Sequence, residues 1–201
     1  MKPILRPMTE LRSGLPIILF ETASAFDQWL VEQNDDAPGA WLRFAKKGAP
    51  YTSLSKAEAI DNALCHGWID GQLDKYDVAS WLIRFTPRKA RSKWSQVNRS
   101  RAEDLIAVGR MMPRGLTEVE KAQADGRWEA AYAPASTIEV PADLREALDQ
   151  NPRAATFFAT LTGANRYAIL YRIGAVKRAE TRARKIAEFV AMLERGETIH
   201  G

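Results

Sequence analysis

Every run in this chain that reads as a β-strand lies before Pro87. The last is Ser80-Trp81-Leu82-Ile83-Arg84-Phe85-Thr86, rich in aromatic and β-branched residues and closed by a proline that has no N–H to give to a ladder. Beyond it, apolar residues recur at helical spacing only. Such a chain can build one sheet from its first half and must build the rest from helices. The expected fold class is α+β: a small, mostly antiparallel sheet with helices in the N-terminal part, and an all-helical C-terminal part. Three spans follow: an extended arm over 1–15, an α+β domain over 16–127 and a helical domain over 128–201.

Within the first part, Pro16–Phe20 reads as a buried strand, and Ser24 as the cap of a helix with Phe26, Trp29 and Leu30 at helical spacing. Ala40–Ala45 is a second strand. Ser55-Lys56-Ala57-Glu58 is a capping box opening a helix through Ile60 and Leu64, which Gly67 stops. Trp68–Leu73 and Ser80–Thr86 are close enough in sequence to pair antiparallel. Helices are then expected over Ser95–Val108, Thr117–Asp125 and Pro141–Leu148, from Pro152, from a cap at Asn165 to Ile173, and over Ala179–Arg195. The last carries an apolar stripe of Ala179, Ala183, Ile186, Val190 and Leu193, expected to pack on the rest of the protein.

Composition excludes some classes. The one cysteine, Cys65, rules out an intrachain disulfide, and with two histidines it is too little for a zinc site of the finger type. No apolar run approaches the roughly 20 residues of a membrane helix, and the first residues do not read as a signal peptide. A cytoplasmic protein with no metal and no cofactor is expected.

The net charge of +4 is unevenly placed. Residues 84–114 hold nine Lys/Arg against two Asp/Glu, and residues 166–201 hold eight against four, with an acidic stretch between them. The first basic block begins on the strand Ser80–Thr86, whose alternation sets Trp81, Ile83 and Phe85 on a core face and Arg84 and Thr86 on the other. Arg88, Arg91 and Lys93 follow, then a helix N-terminus near Ser92–Ser95, where free N–H groups and the helix dipole favour an anion. The bland alternative is that the serines only cap and the arginines only solvate. Asp70, sharing a face with Trp68 and Gln72, is placed to pair with Arg84 across the sheet, which weighs against its acting as a general base. Trp94 and Asn98, one helical turn apart, add an aromatic and an amide. The candidate ligand-binding set is therefore Trp68, Asp70, Arg84, Thr86, Arg88, Trp94, Ser95 and Asn98, a basic, Trp-lined pocket. No catalytic residue is assigned. Cys65 and His66 are adjacent on a helix and point about 100° apart, so they make no ready nucleophile–base pair, and Cys65 reads as core. His200 is expected in an unordered chain end.

These words together resemble the YdeI/OmpD-associated, or bacteriocin-protection, family: Ala63-Leu64-Cys65-His66-Gly67-Trp68-Ile69-Asp70-Gly71, Arg84-Phe85-Thr86-Pro87-Arg88, Ser92-Lys93-Trp94-Ser95-Gln96-Val97-Asn98, Asp125-Gly126-Arg127-Trp128, and Thr181-Arg182-Ala183-Arg184-Lys185-Ile186 in the tail. The resemblance spans roughly residues 16–199, and the C-terminal part looks like the OmpD-associated domain. It implies a role in bacterial stress resistance, against bacteriocins and cationic antimicrobial peptides, an envelope-protein partner and a periplasmic location, which this N-terminus does not suggest. It supplies no catalytic residue. Three functions stay open: a protection protein binding an anionic or phosphate-bearing small molecule, an enzyme of unknown reaction using the same pocket, and a nucleic-acid- or partner-binding module.

Overall fold

The computed structural model describes residues 10–200. Of the expected arm, residues 1–9 lie outside the described residues. Residues 11–18 form a hairpin: β1 (Leu11–Arg12) pairs antiparallel with β2 (Leu15–Ile18) around Ser13-Gly14, both at positive φ. β2 then crosses through helix α1 (Ala23–Glu32) to β3 (Ala40–Ala45), which lies parallel to it. Helix α2 (Lys56–Cys65) leads to the antiparallel pair β4 (Trp68–Lys75) and β5 (Ser80–Pro87), and β5 also pairs antiparallel with β3. The sheet is mixed, in the order β1-β2-β3-β5-β4, with three of its four pairings antiparallel.

The chain divides into two compact units. Among the described residues, one comprises 10–94 and 98–131, the other 95–97 and 132–200. In the sheet unit, alternate residues of β3 (Ala40, Leu42, Phe44) and of β5 (Ile83, Phe85) form one buried cluster with Phe26 and Leu30 of α1 and Ile60 and Leu64 of α2. Phe26 packs edge-on against Phe85 with ring centroids 5.8 Å apart. The other face of the sheet is not simply polar. Trp41 and Leu82 are buried there as well, the Trp41 indole donating to the Arg12 carbonyl at 3.1 Å. Helix α3 (Gln96–Ala107) adds Ala102 and Leu105 to the cluster, and α4 (Pro113–Ala124) adds Val119 and Ala122.

The capping box at Ser55 is present in both directions: the Ser55 hydroxyl accepts from the Glu58 N–H at 3.2 Å, and Glu58 accepts from the Ser55 N–H at 2.7 Å. These bonds hold the Glu58 carboxyl below its ordinary range. Other starts differ from expectation. Thr22, not Ser24, caps α1, its hydroxyl accepting from Ala25. Helix α4 begins at Pro113 rather than Thr117, because a proline in the first turn gives up an N–H that has no helical partner anyway.

The helical unit holds α5 (Ala142–Asp149), α6 (Pro152–Thr160), α7 (Gly163–Gly174) and α8 (Ala179–Glu194). Asn165 lies inside α7 instead of capping it. Its side chain donates to the His200 carbonyl at 3.0 Å and accepts from the His200 N–H at 2.8 Å, so the chain end near His200 is tied down. The core of this unit is Leu144, Leu148, Phe158, Ile169, Ile173, Ile186, Phe189 and Leu193 with their neighbours. The buried side of α8 therefore runs through Ile186, Phe189 and Leu193, rotated from the expected stripe, and Ala179 and Ala183 are exposed. Arg182 completes that rotated side: it pairs with Asp143 at 2.6 Å and donates to the Ile173 carbonyl at 2.7 Å.

Candidate functional site

The C-terminus of α2 and the N-terminus of α4 meet head to tail, which sets partial negative carbonyls against partial positive N–H groups. The Met112 N–H donates to the Cys65 carbonyl at 3.1 Å. Contact this close requires Gly115, since a Cβ there would sit 2.7 Å from the Leu64 carbonyl oxygen. Gly67, at φ +74°, then turns the chain from α2 into β4. Its carbonyl accepts from the Arg88 N–H at 2.9 Å, and Trp68 lies opposite Pro87 in the ladder. The sequence words His66-Gly67-Trp68 and Pro87-Arg88 are thus brought together by the first rungs of β4 and β5.

Between them and α4 lies a pocket of about 210 Å³. His66, Gly67, Trp68, Pro87 and Arg88 form one wall, and Arg114, Thr117, Glu118 and Lys121 of α4 form the other, with Asp35 at the edge. The four α4 residues fall at spacings of three, four and seven, a single helix face. Trp68 is buried and meets Trp29 edge-on at 5.4 Å. Arg88 is only 7% exposed; its guanidinium lies 3.5 Å from the centre of the Trp94 ring and donates to the Lys93 carbonyl at 3.3 Å. Arg114 pairs with Asp35 at 2.9 Å and also donates to the Gln33 carbonyl. Lys121 pairs with Glu118 at 2.8 Å, and that hydrogen bond raises the pKa of the Lys121 ammonium, keeping it charged. The wall carries three cations against two carboxylates.

Of the residues read from sequence, Trp68 and Arg88 line this pocket, and Trp94 supports it from behind through Arg88. Asp70 does not pair with Arg84. The register sets Asp70 opposite Phe85, and a β-bulge follows between Asp70 and Leu73. Neighbouring strand residues point to opposite faces, so Arg84, beside Phe85, faces away from Asp70. Asp70 instead accepts from the Asn98 amide at 3.2 Å. Arg84 lies on the opposite sheet face next to Trp41, its guanidinium close over Gly71, and Thr86 shares that face opposite Ile69. Ser95 belongs to the helical unit, where it bridges Tyr132. The α4 face and Asp35 were not read from sequence. The polar residues 114, 117, 118 and 121 carry the signal, and starting the helix at Thr117 hides it.

His66 and Cys65 serve the core. His66 is 4% exposed with its Nε2 2.9 Å from Asp27. Cys65 is buried, and that burial pushes its thiol pKa up, against a smaller downward pull from Arg110. Among the described residues no group of three or more His, Cys, Asp and Glu could hold a metal ion, and no helix is long and apolar enough to cross a membrane.

Fold and pocket define an α+β protein of two units, a mixed-sheet unit with a polar pocket and a helical unit. The chain belongs to the family described as Domain of unknown function (DUF8412), whose model matches residues 18–118, and residues 137–196 match the family Bacteriocin-protection, YdeI or OmpD-Associated. The YdeI/OmpD-associated likeness is thus carried by the helical unit. No curated protein and no solved structure matches the chain.

Proposed function

We propose that this chain is a bacteriocin-protection-type protein whose sheet unit binds a small anion, a carboxylate or a phosphate, in the pocket between the β4–β5 rungs and α4. One observation carries the reading: Arg88, Arg114 and Lys121 line one small cavity together with Trp68. Arg88 is held by stacking on Trp94, so its position needs no ordering when a ligand arrives. Arg114 pairs with Asp35, whose side chain is 87% exposed, and Lys121 pairs with Glu118, whose side chain is only 14% exposed. An exposed pair such as Arg114–Asp35 contributes about 1 kcal/mol or less, so an entering anion can displace Asp35 at small cost. A cavity of about 210 Å³ lies below the roughly 300–1,000 Å³ of drug-sized sites, which favours inorganic phosphate or a short carboxylic acid over a nucleotide.

The test is thermal unfolding of the full chain against inorganic phosphate, citrate, short carboxylic acids, nucleotides and an oligonucleotide, with sodium chloride matched for ionic strength. A ligand at 100 times its Kd stabilises by about 2.7 kcal/mol. A small anion should raise the midpoint of the wild type, and Lys121→Ala or Arg114→Ala should remove most of that rise. Equal rises in matched chloride, or in the variants, would defeat the reading.

A further inference from the structure

On the helical unit, α5 and α8 leave an outward-facing groove of about 640 Å³. Its floor is Ala147 of α5 and Ala183, Ile186, Ala187, Val190 and Ala191 of α8. Ala183, Ala187 and Ala191 are exposed although they sit mid-helix, and they lie at spacings of four on one face. Side chains this small let another helix approach to the near end of the 8–10 Å range of helix packing. Helix α8 has 16 residues, about 24 Å at 1.5 Å per residue, so an occupant of about four turns would run its length.

The rim is charged, and mostly of one sign. Asp143 and Glu194 line the groove. Glu180 continues the stripe of Ala183, Ala187 and Ala191 at its N-terminal end, and Glu146 lies one turn from both Asp143 and Gln150 on the groove side of α5. All four acids are exposed. Asp143 and Arg182 cancel as an ion pair, which leaves Glu146, Glu180 and Glu194 against Arg184 and against Arg195, itself paired with Glu197. A second copy is a poor occupant: antiparallel packing of α8 on itself about Ala187 sets Glu180 across from the copy's Glu194 at both ends, a like-charge contact. Nucleic acid and anionic lipid are repelled by the same carboxylates.

We infer that this groove docks a basic amphipathic helix of another chain. Its apolar stripe covers the alanine floor, and its Lys or Arg residues meet Glu146, Glu180 and Glu194. The inference stands apart from the anion pocket of the sheet unit and does not depend on it.

The experiment is fluorescence anisotropy with the full chain and two labelled helical peptides of about four turns. Both carry a Leu/Ala stripe, one flanked by lysines and the other, otherwise identical, by glutamates. The lysine peptide is expected to bind, the glutamate peptide to bind at least about tenfold more weakly. The double variant Glu180→Lys/Glu194→Lys should weaken the lysine peptide by about threefold to thirtyfold, the size of two exposed charge contacts. Ala187→Arg, at an exposed helical position that leaves the fold intact by circular dichroism, should abolish binding. Failure of the lysine peptide to bind, equal binding of both peptides, or binding unchanged in Ala187→Arg would overturn the inference. So would sedimentation showing the chain self-associated and Ala187→Arg monomeric, since the occupant would then be a second copy.

Discussion

Gly115 is the point at which α4 rests on the end of α2, and replacing it with alanine sets two effects of opposite sign against each other. In a helix interior, alanine is favoured over glycine by roughly 0.8–1.0 kcal/mol. The added Cβ would meet the Cys65 and Leu64 carbonyl oxygens well inside contact distance, with the Met111 methyl 2.8 Å away. A methionine tip can swing aside, but backbone carbonyls at a helix end cannot. Overpacking of this kind costs typically 1–3 kcal/mol, and contacts this short with fixed carbonyls belong at its upper end, so the clash wins and Gly115→Ala should destabilise the sheet unit by up to about 2 kcal/mol. For a chain of this size that is a fall of up to roughly 8 °C in the midpoint. All six tryptophans lie in the sheet unit, so indole emission follows its unfolding alone. Gly174→Ala supplies the opposite case. It lies at the end of α7, its φ is ordinary, and a Cβ there meets nothing within 4 Å. It should stabilise the helical unit by up to about 1 kcal/mol, read by circular dichroism, and leave the tryptophan transition alone. Because Arg114, Thr117, Glu118 and Lys121 ride on α4, Gly115→Ala should also weaken anion binding. A tryptophan-monitored midpoint in Gly115→Ala equal to or above that of the wild type would refute this account of the α2–α4 contact.

Two further outcomes are expected. The Arg182 guanidinium holds the Asp143 carboxyl below its ordinary range. The stability this gives the helical unit is complete above the ordinary aspartate value of about 3.9 and is lost as pH falls through the lower folded value. Asp143→Asn should remove that acid-dependent part, which is under about 1 kcal/mol for so exposed a pair, and identical acid titrations of variant and wild type would contradict it. Cys65 is buried with its thiol pKa pushed up, so a thiol reagent at pH 8 should label native protein far more slowly than protein in denaturant; comparable rates would show that the α2 end opens readily.

The strand half of the fold was legible because its runs are short, β-branched or aromatic, and end in residues that stop a ladder. Ala40–Ala45 and the β4–β5 pair follow directly from that pattern. The capping box at Ser55 was legible for a different reason, since both of its bonds are local. Features set by distant contacts were not. The Asp70–Arg84 pair fails because of the register at which β4 and β5 close, beyond what alternation within either strand can reveal. The buried side of α8 is displaced toward Phe189 because Arg182, a charged residue, is drawn inward by Asp143 and the Ile173 carbonyl. At the pocket, the words around Gly67 and Arg88 stood out through unusual composition, and Trp68 and Arg88 do line it. The α4 wall was missed through starting the helix at Thr117, whereas Pro113 opens its first turn.

The most direct measurement of the central claim is a two-dimensional amide NMR titration of the full chain with inorganic phosphate at constant ionic strength. Saturable shifts are predicted at the amides of Gly67, Trp68, Arg88, Thr117 and Lys121, absent in Lys121→Ala, with the helical unit unmoved. Shifts that never saturate, or that persist unchanged in Lys121→Ala, would contradict an anion site in this pocket.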